Sequence, residues 1–465
     1  MPADIFRISD TTELTENKLW EYIRKNDTKV SERYKNLQNA YNTDMAIFHQ
    51  KKKPDYKPDN RIAVNFPKYI VDTMQGFFIG IPIKEKADDD AVAEYINFID
   101  QYNDQDDNNA ELAKNCMIYG RAYEMYFVDE DGNIGITYLD PMEAFMIYDE
   151  SILERPRYFV RTYKDTNNII HGSVSDSVRI RYFDINPSLK FRDEEKIHGF
   201  DGVPAVEYVC NAERQGLFES SLSMIDAYNK AISEKANDVD YFADAYLKIL
   251  GAKLEAEDLQ TIRDKRVINF DGIGDGNLVV DFMQKPSADS TQENLINRLE
   301  RLIFQISMVA NINDENFGSA SGIALKYKLQ SMSNLAKTLE RKFTSGMNRR
   351  YKLIFSNPVS GMKKDDWTQI DYVFTRNFPS NVLEEAQTAA QLEGIVSKET
   401  QLSVLSIVDD VQAEIDRIHE EDDYDTDYPT SREAAQDANT AALVNQIQQE
   451  QQTQAALNAI NGKQS

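Results

Sequence analysis

A chain of 465 residues with 78 Asp plus Glu against 52 Lys plus Arg carries a formal charge of -26, so its surface repels nucleic acid on average and is not built as a broad phosphate-binding face. Hydrophobic residues make up 41% and charged residues 28%, which excludes a wholly disordered chain, and the length calls for several subdomains rather than one small core. Cys116 and Cys210 stand far apart in sequence without His or Cys neighbours at ligand spacing; they point to neither a disulfide framework nor zinc and fit a reducing cytoplasm.

In chain order, the region before Lys51 is polar and helix-rich, with Leu19, Tyr22, Tyr34, Leu37, Tyr41 and Met45 marking amphipathic faces. The N-terminus lacks a basic segment followed by an apolar one. A basic, Pro-containing linker, Lys51 to Pro58, ends the region. Pro67 then suits the first turn of a helix carrying Ile70, Val71 and Met74. The most apolar run, Phe77 to Ile83, is far shorter than the ~20 residues a membrane span needs. From Ala122 to Cys210 the pattern is largely β: Tyr123 to Val128 and Ile134 to Leu139 flank the turn Asp129-Glu-Asp-Gly-Asn133, and Arg157 to Tyr163 and Val178 to Phe183 read as further strands.

Two long helical patterns follow. In the first, Ile225, Tyr228, Ile232, Ala236, Val239, Phe242 and Tyr246 recur at three- and four-residue steps, predicting one buried face. The second opens on Ser290-Thr-Gln-Glu293, a capping-box signature, and continues through Leu295, Leu299, Leu302, Ile303 and Ile306, roughly 30 Å of helix. Between them, Arg266 to Phe270 and Asn277 to Met283 predict two strands around the turn Asp271, Gly272, Ile273, Gly274, Asp275, Gly276. After the second helix a polar loop, Asn311 to Gly322, is mounted before a third helix with Leu325, Leu329, Met332, Ala336, Leu339, Phe343 and Met347 on one face. An ordinary surface loop is the alternative to a projecting contact loop.

Gln369 to Thr375 is strand-like, and Asn381 to His419 returns to helical spacing, with Gly394 and Ser397 suggesting two helices joined by a turn. From Glu421 the chain is acidic and then Gln/Ala-rich, a disordered or weakly helical tail.

A search for chemistry finds no phosphate-binding P-loop, no H-E-x-x-H and no G-x-S-x-G. Ile273 and Phe282 occupy ligand positions of a calcium loop beginning at Asp271, so that segment reads as a turn; Asp129, Asp131 and Asn133 likewise lack the glycine such a loop requires. His49, His171, His198 and His419 lie in unrelated segments. No catalytic, cofactor or metal site is expected, and a large acidic chain without chemistry fits a structural component better than an enzyme. A nuclease or packaging motor would need a P-loop or a clustered acidic metal site.

Several short motifs in fixed order carry a resemblance. Asn65-Phe-Pro-Lys-Tyr-Ile-Val-Asp72, Gly80-Ile-Pro-Ile83, Ile118-Tyr-Gly-Arg-Ala-Tyr123 and Leu139-Asp-Pro141 are followed by Ile225-Asp-Ala-Tyr228, Ala236-Asn-Asp238, Asp314-Glu315, Ser321 to Leu329 and Glu340-Arg-Lys-Phe343. Over roughly residues 15 to 420 the chain resembles tailed-phage portal proteins of the siphophage type.

The resemblance implies an α+β portal fold: N-terminal region and wing at 1–216, stem helices at 217–246 and 289–309, an α/β clip at 247–288, a tunnel loop at 310–322, the wing's long helix and strand at 323–380, a helical crown at 381–420 and a tail at 421–465. It implies a homo-oligomeric ring, typically of twelve, at one capsid vertex, reached from the host cytoplasm. The implied partners are the terminase large subunit, a head-completion or adaptor protein, the scaffold and major capsid protein, and double-stranded DNA passing through; no membrane is involved. Asn311, Asn313, Asp314, Glu315, Asn316, Phe317 and Ser319 would face the DNA channel, and Asp271, Gly272, Gly274, Asp275 and Gly276 would form the docking turn. Another virion structural or adaptor protein, such as a minor head protein, is the alternative.

Overall fold

The computed structural model describes residues 5–9, 11–55, 57–243, 247–250, 279–282, 289–312, 327, 329–376, 382–405, 407–408 and 411–425. In chain order these form β1 (Phe6–Arg7), α1 (Glu16–Lys29), α2 (Lys35–Tyr41), α3 (Phe66–Ile79), β2 (Lys84–Ala87), α4 (Asp90–Tyr102), α5 (Gln105–Tyr119), β3 (Arg121–Val128), β4 (Ile134–Leu139), β5 (Ala144–Tyr148), β6 (Pro156–Lys164), β7 (Ile170–Ser175), β8 (Arg179–Ile185), β9 (Leu189–Ile197) and β10 (Ala205–Val209). Then come α6 (Leu222–Ala243), β11 (Leu247–Leu250), β12 (Val279–Phe282), α7 (Asp289–Ser307), α8 (Gln330–Ser356), β13 (Ile370–Val373), α9 (Val382–Leu392), α10 (Lys398–Leu402) and α11 (Val411–Asp425). The chain divides into two compact units, 1–377 and 378–465.

In the first unit a six-stranded sheet runs β1-β5-β6-β7-β8-β9, antiparallel except for the parallel pair β1 and β5. The hydroxyl of Thr15 caps α1 by accepting the N–H of Lys18, and α1 buries Leu19, Tyr22 and Ile23 against Phe145, Val160, Val174 and Phe183 on one face of that sheet. The other face presents Met146, Tyr148 and Phe159 to Tyr123, Leu139 and Ala205 of a second sheet ordered β10-β3-β4. Alternation along β3 then sends Ala122 and Tyr126 the opposite way, into the main core with α3, α5 and α8. The turn Asp129 to Asn133 is as the sequence suggests: the Asp129 carboxylate accepts the N–H groups of Asp131 and Asn133.

Asn65 caps α3 by accepting the N–H of Lys68 at 2.9 Å, with Pro67 in the first turn and Ile70, Val71 and Met74 fully buried. Helix α5 ends at Gly120, whose φ of +84° and close approach to the Arg214 backbone leave no room for a Cβ. Helices α4 and α5 and the short parallel β1 had no counterpart in the sequence reading.

The 27-residue α8 buries Met332, Ala336, Leu339, Phe343 and Met347 on the predicted face. It also carries an unforeseen buried charge. The Arg350 guanidinium donates to both Glu124 oxygens at 2.9 and 3.0 Å and to Asn109 Oδ1 at 2.6 Å, with Glu85 Oε1 3.8 Å away. Tyr126 and Tyr208 donate their hydroxyls to Glu124 as well, and Tyr351 donates to Glu85. Burial and then the neighbouring Asp100 charge push the Glu85 carboxyl up to about 8 against the opposing Arg350 guanidinium, and burial pushes Asp100 up to about 6. Removing one partner of such a buried pair costs about 3–5 kcal/mol, because the other charge is left without compensation.

Among the described residues the second unit holds α9, α10 and α11, where the sequence pattern suggested two helices joined by a turn. Gly394 adopts φ +73° after α9, Ser397 caps α10 through the N–H of Thr400, and Gln401 donates to the Ala389 carbonyl at 2.8 Å. Helix α11 extends through Asp425, into the acidic run that composition alone assigned to the tail.

Candidate functional site

Helices α6 and α7 form an antiparallel pair. Gln292 donates to Asp238 Oδ2 at 3.0 Å, and Lys235 forms an ion pair with Glu293 one turn further along. The helix begins at Asp289, so Ser290 lies inside the first turn and Glu293 reaches across the pair rather than back to a cap. Where α6 ends and α7 begins the chain forms a two-stranded antiparallel ribbon, Leu247 opposite Phe282 and Leu250 opposite Val279. The predicted strand at Asn277 to Met283 is thereby found as β12. Its partner is β11, a strand absent from the sequence reading; Arg266 to Phe270 lies outside the described residues.

A polar row along α6 does work that the apolar periodicity concealed. Asn229, Ser233 and Asn237 are almost fully buried and accept the backbone N–H groups of Val64, Ile62 and Asn60 at 2.8, 2.9 and 2.6 Å. Successive acceptors lie four residues apart on a helix, about 6 Å, while alternate donors of an extended segment lie about 6.8 Å apart. The near match lets one helix face substitute for a β-strand partner. Lys53 adds an ion pair to Glu234 at 2.7 Å, which holds the Glu234 carboxyl below its ordinary range. The sequence signal was present as an i, i+4, i+8 row of small polar residues beside Ile225, Tyr228 and Ile232.

At the other end of α7 the aromatic side chains lock. Phe66 meets Tyr228 edge-on at 4.9 Å between ring centroids and Phe304 at 5.6 Å, and Tyr69 meets Phe304 at 5.6 Å. The Tyr69 hydroxyl then accepts the N–H of Ile312 at 2.9 Å and lies 3.4 Å from the Ala310 carbonyl. Asn311 donates to Glu300 at 3.4 Å. Of the channel-loop residues named from sequence, Asn311 is therefore the one placed, turned back toward α7; Asn313, Asp314, Glu315, Asn316, Phe317 and Ser319 lie outside the described residues. So do all five docking-turn residues, Asp271, Gly272, Gly274, Asp275 and Gly276.

Not every apolar position on the pair is buried within the subunit. Ile225, Ile296 and Ile303 are buried, whereas Val239 is 64% exposed, Leu295 51% and Ile306 45%. The sequence periodicity identified the apolar stripe, but one antiparallel neighbour covers only part of it.

Among the described residues no group of three or more His, Cys, Asp or Glu side chains is arranged to hold a metal ion, and no helix is long and apolar enough to cross a membrane. His49 pairs with Asp44, and His171 lies between Asp184 and Asp165, whose hydrogen bonds raise its pKa. Cys116 and Cys210 are buried free thiols, Cys210 pushed up to about 12 by burial.

The family model described as "Phage portal protein, SPP1 Gp6-like" matches residues 21–428. The portal protein of Clostridium phage phiCD119 is 24% identical over 408 residues, covering 82% of this chain and 88% of that protein. The portal protein of Bacillus phage SPP1 is 24% identical over 393 residues, covering 79% and 77%. Among solved structures, a chain of "Neck of empty GTA particle computed with C6 symmetry" matches with a TM-score of 0.45 and 11% identity, covering 73% of this chain and 89% of that one. A match over residues 21–428 of the 465 settles the family: the chain belongs to the SPP1 Gp6-like phage portal proteins, structural components of the virion that form the head-tail connector.

Proposed function

We propose that this portal subunit works as one of twelve in a closed ring at a single capsid vertex, through which the genome enters and leaves. The observation that carries the reading is the partly uncovered apolar stripe on α6 and α7: Val239, Leu295 and Ile306 remain exposed in the single chain, and cyclic association of identical copies supplies the cover. In this assignment residues 1–216 and 323–380 make the wing, 217–246 and 289–309 the stem, 247–288 the clip, 310–322 the tunnel loop, 381–420 the crown and 421–465 a tail.

The clip ribbon is the docking surface for the terminase large subunit during filling and for a head-completion or adaptor protein afterwards. Scaffold and major capsid protein surround the wing, and assembly starts from subunits made in the host cytoplasm. Charge supports the conduit role. Twelve copies carry 12 × -26 = -312 formal charges, which favours passage of DNA over adhesion. A conduit performs no bond chemistry, in keeping with a non-enzymatic role.

Native mass measurement of the purified protein, paired with particle imaging, tests the ring. Twelve copies of the 53.3 kDa chain give about 640 kDa, and end-on views should show an axial hole. Val239→Asp with Leu295→Asp should shift the population toward monomer. A wild-type protein that stays monomeric at all concentrations, with no rings in capsids, overturns the reading.

A further inference from the structure

On one face of the six-stranded sheet two cationic residues, Arg161 and Lys196, line a cavity whose walls carry no carboxylate. Arg161 of β6 lies opposite Ser173 of β7, which lies opposite Tyr182 of β8. One step along, Ser175 lies opposite Ile180, and Ile180 opposite Lys196 of β9. Side chains two apart along a strand share a face, so these rows form one polar, cationic wall. It closes one side of a cavity of about 610 Å³ whose other side comes from β3, with Phe127 and Val128, and from Asn357 and Val359 beyond α8.

Three features mark this cavity as a binding site. In a chain with 78 Asp and Glu, none of the residues lining it is acidic. The Arg161 Nε is buried without a hydrogen-bond partner, while the guanidinium stacks 5.1 Å from the Tyr163 ring centroid. Lys196 lies 5.8 Å from the centroid of the Tyr182 ring and makes a loose 3.5 Å ion pair with Glu194. The lining histidine, His198, is committed elsewhere: the Phe200 N–H donates to Nδ1 at 3.1 Å and Nε2 lies 3.0 Å from the Asp176 carbonyl, which leaves it no role as a third cation. The mouth is apolar, with Ile197 82%, Phe127 38% and Val128 38% exposed.

We propose that this cavity binds a carboxylate borne on an apolar or aromatic body, with Arg161 and Lys196 taking the charge, the hydroxyls of Ser173, Ser175 and Tyr182 completing its hydrogen bonds, and Phe127 and Val128 packing against the body. The volume is that of a small-ligand or single side-chain site, and a planar guanidinium matches a carboxylate. Two sources carry that chemistry: a free small acid, or an acidic aromatic peptide such as Glu420-Glu-Asp-Asp-Tyr-Asp-Thr-Asp-Tyr428 of a second copy of this chain.

Isothermal titration of the full chain with benzoate, and separately with a synthetic peptide of residues 420–428, tests the site. Saturable binding of at least one probe is expected. Arg161→Gln should weaken it about tenfold and Lys196→Gln about threefold, with thermal midpoints of the variants compared to that of the native chain. Arg161→Lys should recover part of the loss. Should Arg161→Gln fail to fold, the loss in Lys196→Gln decides the matter, because the stem of that lysine lies at the open edge of the sheet. Peptide binding tighter than benzoate by tenfold or more assigns the carboxylate to an acidic chain segment, and the reverse order assigns it to a free acid; either supports the site. No saturable binding of either probe, or binding unchanged in the folded variants, overturns it.

Discussion

The Tyr69 hydroxyl accepts the backbone N–H of Ile312 at 2.9 Å, tying the fifth residue after α7 to a helix 243 positions earlier in the chain. Tyr69 is itself fixed by its edge-on contact with Phe304, so the point where the chain leaves α7 is set by α3. In the proposed assignment residues 310–322 are the tunnel loop, and this hydrogen bond fixes the backbone at the start of that segment.

Tyr69→Phe keeps the ring packing and removes the hydroxyl. Amide exchange at Ile312 should accelerate about fivefold or more, with global stability falling by about 1 kcal/mol. Hydrogen exchange read by mass spectrometry measures the first and urea unfolding the second. Unchanged exchange would mean that the hydroxyl does not hold the loop root.

The polar row on α6 predicts an asymmetry between two small substitutions. Asn229→Ala leaves the Val64 N–H without its acceptor and should cost about 1–3 kcal/mol. Asp226→Ala, at an exposed position one turn before on the same helix, should change stability by less than about 0.5 kcal/mol. Urea denaturation of both variants, with m-values compared, makes the test; equal effects would remove the ladder as a stabilising device.

The buried carboxyl of Glu85 gives a pH signature. Its ordinary value of 4.5 is raised to about 8, chiefly by burial and then by Asp100, with Arg350 and Tyr351 opposing and Glu124 adding to the rise. Between these values the folded chain holds a proton that the unfolded chain releases, so this group makes stability fall as pH rises from about 4.5 to 8. Glu85→Gln mimics the protonated form. Relative to the native chain it should become progressively more stable as pH is raised across that window, as read from thermal midpoints; a constant difference between the two proteins would place the titration elsewhere.

If residues 310–322 are the channel loop of the proposed assignment, function should respond to the charge of Asp314 and Glu315 more than to any single hydrogen bond. Replacing Asp314 and Glu315 together by lysine should leave ring formation near normal and slow DNA translocation, because a ring of new cations would add phosphate-binding drag to the channel. In vitro packaging rates measure it. Rates unchanged at low salt, where the drag is greatest, would move the loop away from the DNA.

Periodicity and local signals determined much of this molecule. The apolar spacing of Met332 to Met347 gave α8, Pro67 gave the first turn of α3, and the Asp129 turn gave the β3–β4 hairpin, because each depends on residues close together in the chain. The ordered motifs also carried the family. Local spacing could not say that Val239, Leu295 and Ile306 stay exposed while Ile296 and Ile303 are covered, since that depends on where the partner helix lies. Nor could it pair β11 with β12, 29 or more residues apart, or bring Arg350 to Glu124 across 226 positions. A buried ion pair and a backbone captured by Asn229, Ser233 and Asn237 become favourable only once the surrounding packing has excluded water, and that condition exists only in the tertiary structure.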